Sequence, residues 1–497
     1  MEGINPWIVT GIIITFAVMS AAGVYTVRKV KNSSDFTLGG KKASALAVAG
    51  VIVGACVGSG GTVGTAQTAY RLGIVGWWQT LGLGIGCLIL GVVFANVLYK
   101  QQVETVPQIL ERNFGPKIVP ITAVFGSIAI FLSMFSQTLG FLPLLRSMIP
   151  VSNEWAAVIS VGLVLLFVIF GGFFATSLGG LIKIFLILGS LLLSGIIALA
   201  AFGGFSGMSA AFVEAPNTFN MFARGVANDI AIGVGFILGI FVTQTYIQAM
   251  FSAKDPKTAR NGAILAACFT VPVGLFGVFV GLWMKNFYHI PLDATMDSQT
   301  FPLFMIEKFP PVIAGIFIGG MMLAALGSNA GLVFGVSTML SRDVYKKARK
   351  NASDKEMLYV LRILVVVAAV LSGVFAVTEA KALIQQYIFL SFGMRSCVFF
   401  IPMMFVFYFK GRMTHAAGIA SVIAGPVTTI IWNLGIRTAT YTAYLKELTD
   451  PNAFQRFMKF LNGLDPLYAG LIVGLIAFLV ANEIAKRINP KPTPAAA

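Results

Sequence analysis

Residues Val53 to Gly73 read VGACVGSGGTVGTAQTAYRLG, and the reading of this stretch decides the fold. It lies inside an apolar run long enough to cross a bilayer, yet Gly54, Gly58, Gly60, Gly61 and Gly64 crowd its middle. Glycine weakens a helix interior by roughly 0.5–1 kcal/mol relative to alanine. A bilayer tolerates freed backbone groups only where protein or a polar cavity satisfies them. From the glycines alone two explanations stay open: an unwound helix lining a site, or close packing of helices whose small residues let two backbones approach.

Working outward, the surrounding chain is membrane-like. It has 497 residues, of which 57% are hydrophobic and 11% charged, and a mean hydropathy of +0.87. Runs of the roughly 20 apolar residues that a spanning helix needs recur from end to end, separated by short polar gaps. The net charge of +16 is not a nucleic-acid signature, because the basic residues cluster between apolar runs as the positive-inside bias requires. Cys56, Cys87, Cys268 and Cys397 lie within predicted spans and have no metal-ligand spacing, so neither disulfides nor a metal cluster is expected. The first run, from Trp7, has no basic segment before it and reads as a retained helix.

The hydropathy predicts an all-α polytopic protein of about thirteen transmembrane helices. Spans are expected at about 7–27, 43–71, 74–99, 119–148, 154–173, 178–202, 228–251, 262–285, 313–340, 358–378, 383–408, 415–436 and 467–486. The basic loops VRKVKNSSDFTLGGKK, SAKDPKTARN and SRDVYKKARKNASDKEM are expected inside, which places the N-terminus outside and the C-terminus inside. Residues 1–42 then form an extra helix and loop, 43–202 and 228–408 two blocks of five spans joined by the external loop 203–227, and 409–497 two further helices and a tail. Five spans per block give opposite orientations, the five-plus-five inverted repeat of secondary transporters, each block led by a broken helix.

No residue cluster suggests bond chemistry, so an enzyme is not expected; His289 and His415 lie in predicted loops without a neighbouring nucleophile. Ala324, Gly327 and Ser328 share one helix face. The Ser328 hydroxyl and a freed carbonyl there could supply hard oxygen ligands to a small cation, although small-residue helix packing explains the same pattern. Arg395 sits about a dozen residues from either end of its span, and a charge at the bilayer centre costs at least about 2.5 kcal/mol on insertion scales. None of the acids lies deep in a span. Backbone carbonyls, water or an anionic substrate are the partners left for it.

Four segments carry a family resemblance: SDFTLGGKK before the second span, GTAQTAYRLG at its end, QAMFSAKDPKTARNGA after the seventh, and AALGSNAGLVFGVSTMLSRDVYKK in the ninth. In this order they resemble the sodium:solute symporter family, which has a leucine-transporter-like inverted-repeat fold. The resemblance favours the broken helix. It implies sodium as coupling ion, held by the carbonyls of Gly54, Val57 and Ala324 and the hydroxyl of Ser328. Where the family has a second hydroxyl this chain has Gly327. In GGFFATSLGGLIK, Gly180 stands in place of a family acid and Lys183 in place of a glutamine. Gly60 and Gly61 replace the long polar side chains of sugar-transporting relatives, while Ser59, Gly60, Gly61 and Thr62 offer backbone N–H groups to a carboxylate. Thr243, Gln244 and Arg395 complete the expected solute site, with Gln248 nearby and Ala249 where many relatives have arginine.

The expectation is therefore a secondary transporter of the cytoplasmic membrane, carrying a small organic solute, a carboxylate or an amino acid, by sodium symport. No cofactor, nucleic acid or obligate protein partner is expected beyond the lipid bilayer. One alternative is a proton-coupled or sodium-independent carrier in which Lys183 replaces the cation. From other classes, a membrane-embedded sensor would need a signalling module, for which the segment after Ala485 offers no room, and a channel would need a continuous polar stripe.

Overall fold

A computed structural model describes residues 5–27, 42–101, 105–288, 297–409, 413–447 and 452–488. The predicted all-helical architecture is present, with no strand among the described residues and one isolated bridge between Ala43 and Ala253. The chain begins with α1 (Pro6–Val27) and then the two halves of the glycine-rich span, α2 (Ala45–Cys56) and α3 (Val63–Leu72). Next come α4 (Trp78–Ile89), a short helix α5 (Val106–Phe114), α6 (Ile118–Arg146) and α7 (Asn153–Ala201). A second broken pair follows, α8 (Val226–Val242) and α9 (Gln244–Ser252), and then α10 (Pro256–Phe287) and α11 (Pro311–Met339). Helices α12 (Asp354–Thr378), α13 (Ile384–Tyr408), α14 (His415–Ile431) and α15 (Pro466–Ile488) complete the bundle.

The helices start where short polar side chains can take up orphan N–H groups. Ser44 accepts from Ala47, Ser152 from Trp155, Ser353 from Glu356 and Thr414 from Ala417. Asp255 accepts from Thr258 at 2.7 Å, with Pro256 at the first helical position. Gly73 ends α3 with φ of 82°, which a side chain would strain, and the following turn Gly73–Trp77 folds back so that Gly76 lies against Thr65 and Ala69.

Among the described residues eight helices are long and apolar enough to cross a membrane, or up to ten with each of two bent pairs taken as one span. Shorter apolar helices such as Ala45–Cys56 fall below that length, so the exact count of thirteen is not confirmed by it. The predicted spans at 154–173 and 178–202 lie on the single helix α7, whose 49 residues measure about 74 Å at 1.5 Å each. The stretch between them has neither proline nor charge to end a helix.

The two broken helices sit at the centre. Helix α2 packs on α7, α9 and α10, while α8 packs on α4 and α13. Ala43 donates to the Ser252 carbonyl at 3.0 Å, and Lys254 donates to the Ala43 carbonyl at 3.4 Å. One broken helix therefore begins where the other ends, the opposed placement that an inverted repeat requires. Helix α1 clasps α11 through glycines: a Cβ on Gly315 would collide with the Ile8 carbonyl, and one on Gly11 with the Val312 carbonyl. Gly315→Val is expected to cost about 1–3 kcal/mol through overpacking and to lower the melting midpoint in detergent by several degrees. A midpoint within a degree of the parent would contradict this packing.

Candidate functional site

The α2–α3 break covers residues 57–62, all of them buried. Burial leaves the freed backbone groups no water, so each must find a protein partner. Four buried glutamines stand around it: Gln67 on α3, Gln79 on α4, Gln137 on α6 and Gln385 on α13. The Gln137 amide oxygen accepts from both the Ser59 N–H and the Ser59 hydroxyl, at 2.8 Å each. The Gln385 amide donates to the carbonyls of Gly60 at 3.2 Å and Gly76 at 3.0 Å and to the Thr65 hydroxyl at 3.0 Å. Gln79, with its amide oriented to satisfy both ends, donates to the Gly60 carbonyl at 3.0 Å and accepts from the Gly61 N–H at 3.2 Å. Thr62 donates to the Gly58 carbonyl at 3.1 Å.

These bonds explain the glycines. A Cβ on Gly58 would run into the Gln137 amide, and one on Gly60 into Ile388. The unwound segment and the close approach, alternatives on the sequence, are thus the same feature.

On one side of the break the Ser328 hydroxyl, from the middle of α11, donates to the Gly54 carbonyl at 3.0 Å across 274 positions of chain. Ala324 and Val57 are also buried. The adjoining Asn329 amide donates to the Thr138 hydroxyl at 2.8 Å, which in turn lies 2.7 Å from the Ser372 hydroxyl. The Gly54 carbonyl and the Ser328 hydroxyl are neutral oxygens, of the kind suited to a hard monovalent cation. Among the described residues no group of three His, Cys, Asp or Glu side chains could hold a metal ion.

The second break falls at Thr243, where α8 and α9 bend by 46°. The Thr243 hydroxyl donates to the Gly239 carbonyl at 2.7 Å and accepts from Arg395 at 3.0 Å. Arg395 is 2% exposed. Its other terminal nitrogen donates to Ser133 at 2.5 Å and Ser391 at 2.6 Å, and its guanidinium lies 4.5 Å from the Phe392 ring centre. Its Nε is buried with no partner.

At the Gly73 end of α3, Arg71 pairs with Asp297, which also accepts from Gln67 at 3.1 Å. The Gln67 amide oxygen takes the Ile384 N–H at 3.1 Å, tying α3 to the first turn of α13. A loop segment, the broken helix and α13 are thereby joined by one polar chain.

A bundle led by two opposed broken helices, with a cation-type oxygen pair between one break and α11, has the anatomy of a secondary transporter. A sequence model described as the sodium:solute symporter family matches residues 36–425. The chain belongs to the sodium:solute symporter family. It is a sodium-coupled symporter of a small organic solute. The high-affinity proline transporter PutP of Bacillus subtilis (strain 168) is 26% identical over 85% of this chain and 92% of its own length. The sodium/proline symporter of Escherichia coli (strain K12) is 27% identical over 85% and 88%. A Na+-coupled sialic acid symporter, solved in a substrate-bound outward-open state, superposes with a TM-score of 0.76 at 16% identity, covering 98% of each chain. That likeness concerns the fold.

Within this symporter the structure brings Gly54 and Ser328 together, and Thr243 and Arg395 together. Ser59 and Gly61, expected to offer N–H groups to a carboxylate, direct them to Gln137 and Gln79. Gln244 turns to α5, where its amide oxygen accepts from the Val106 N–H at 2.8 Å. The side chain of Lys183 lies outside the described residues, as does His289. The glutamine collar, Ser133, Ser391 and Asp297 were not singled out from the sequence. Their signal was available in part: a long amide inside an apolar run is expensive unless it has a partner. Gln137→Leu is expected to leave the Ser59 N–H buried without an acceptor, destabilising the protein by about 1–3 kcal/mol and reducing uptake. An unchanged melt and unchanged uptake together would show that the collar does not hold the break.

Proposed function

We propose that this symporter imports a small carboxylate-bearing solute, an amino acid or a simple organic acid, across the cytoplasmic membrane with one sodium ion per solute. The observation that carries the reading is the contact of the Ser328 hydroxyl with the Gly54 carbonyl beside a buried helix break. Gly54, Val57, Ala324 and Ser328 would hold the ion, using oxygens that bear no formal charge. Thr243 would face the solute, and residues Ser59 to Thr62, their N–H groups at Ser59 and Gly61 held by glutamines, would serve as its wall. The proline transport named for the relatives supports an amino acid or a molecule of that size. The basic loops support a cytoplasmic position for the face that carries Ala43 and Ala253, with the N-terminus outside and the C-terminus inside. Inward sodium movement supplies about 2.3 kcal/mol per charge per 100 mV.

A second reading has one observation behind it. Gly327 removes a hydroxyl that the family resemblance leads one to expect beside Ser328, and a carrier that uses Lys183 in place of the cation would not need that ligand. Uptake of labelled solute by proteoliposomes in sodium and in choline buffer separates the two. Sodium symport requires uptake to collapse in choline; equal uptake in both buffers would remove sodium from the mechanism. Ser328→Ala is expected to raise the sodium concentration for half-maximal uptake about tenfold, equivalent to about 1.4 kcal/mol. An unaltered sodium titration would take Ser328 off the ligand set.

A further inference from the structure

Arg395 is a permanent charge in the middle of the bundle, since a guanidinium does not deprotonate in proteins. Its partners in the structure are the hydroxyls of Thr243, Ser133 and Ser391 and the face of Phe392. All are neutral. Hydroxyl dipoles soften the cost of a buried cation without cancelling its charge. Among the described residues no acid is paired with it. Of the buried or half-buried acids, Asp297 is taken by Arg71, Asp229 by Arg224 at 2.7 Å and Glu379 by the Tyr387 hydroxyl at 2.7 Å, while Asp343 lies past the end of α11 in the basic segment SRDVYKK. The Arg395 Nε keeps an unused buried donor.

The position of this charge matters as much as its isolation. Thr243 is the residue at which α8 gives way to α9, so Arg395 is bonded directly to the second break. Ser133 lies on α6, the helix that sends Gln137 to the first break. The guanidinium is therefore bonded to the second break and to the helix that serves the first. Its planar fork suits one carboxylate through two parallel bonds. The Ser59 and Gly61 N–H groups, the other candidate seat for a carboxylate, are engaged by glutamine oxygens. Among the described residues no acid is bonded to either break to receive a substrate ammonium.

We infer that Arg395 is the counter-ion of the substrate, and that the substrate is an organic monocarboxylate carrying no ammonium group rather than a zwitterionic amino acid. The inference rests on the symport and site proposed above. It adds a consequence for charge movement. One sodium ion with one monocarboxylate carries no net charge, so transport is electroneutral, whereas one sodium ion with a zwitterion moves one positive charge per cycle.

The experiment uses the full-length protein in proteoliposomes with a potassium-clamped potential, and a panel of acetate, pyruvate, lactate, their amides and proline. Sodium-dependent uptake is expected for at least one of the three acids and not for its amide. Its rate should be unchanged between about −100 and 0 mV. Arg395→Met should weaken the apparent affinity for that acid by roughly thirtyfold or more. Stabilisation of the same variant by sodium alone, read as a thermal shift, should persist and shows that it has folded. Arg395→Lys, which keeps the charge but loses the fork, should fall between the two. Carboxylate affinity within threefold of the parent in Arg395→Met overturns the inference, with roughly threefold taken as the limit of a lost charge-assisted bond. Potential-dependent uptake of proline, with the acids inert, also overturns it while leaving sodium symport intact. Uptake that ignores sodium for every member of the panel overturns the proposed function and this inference together.

Discussion

The structure depends on a single constraint: backbone groups freed inside a bilayer must be satisfied by protein. Breaking α2 from α3 exposes carbonyls and N–H groups at residues that water does not reach. An unpartnered polar group there costs several kcal/mol. The break persists because amides arrive from three other helices: Gln79 from α4, Gln137 from α6 and Gln385 from α13. These amides reach the backbone only because glycine leaves room, so the glycines and the glutamines are two halves of one device. Remove the glycine and the amide has no approach; remove the amide and the unwound backbone has no partner.

The same constraint orders the rest of the bundle. Gln137 comes from α6, the helix whose Ser133 also holds Arg395 against Thr243. Gln385 comes from α13, the helix that carries Arg395 itself. The two breaks are thus held by the same pair of helices. A displacement of α6 against α13 would disturb both, which is the coupling a carrier needs if ion and solute are to move together. Helix α11 enters through Ser328, whose bond to the Gly54 carbonyl sits where the first break begins. An ion held by Ser328 and Gly54, as proposed, would fix α11 against α2 and so link cation affinity to the conformation of the break.

Much of this was legible in the sequence, and the part that was not has a physical explanation. The glycine-rich stretch was conspicuous, but five glycines in an apolar span suit close packing as well as a break, and the family resemblance was needed to favour the break. Arg395 announced itself too, since a charge so far from both helix ends is costly without a purpose. The resemblance to sodium:solute symporters pointed to Gly54 and Ser328, which the fold places at hydrogen-bond distance. The glutamine collar escaped, because Gln79 and Gln385 are separate residues on different helices with no shared period. Their relation exists only in three dimensions. Asp297 escaped for a similar reason, lying in a loop and pairing with Arg71 across 226 positions. Hydropathy marks spans less sharply where nothing marks an end: the runs on α7 adjoin without proline or charge, and the structure carries both on one helix.

Two kinds of contact hold the breaks, and they differ in how readily they can be remade. The clasp of α1 on α11 is backbone against backbone through glycine, which tolerates no sliding without collision. The contacts at the breaks are hydroxyl and amide bonds, each contributing about 0.5–1.5 kcal/mol net and each able to exchange for a bond to an ion, a solute or water. The Arg71–Asp297 pair lies between these extremes: Asp297 is buried to 1% side-chain exposure, while Arg71 retains 26%. An arginine with that exposure can keep its hydration as the pair parts, whereas the buried Asp297 would keep only the Gln67 amide, so parting at the Gly73 end costs more than exchanging a neutral bond. The rigid contacts therefore belong to the scaffold and the exchangeable ones to the site, a division that lets the centre of the molecule open while its frame stays packed.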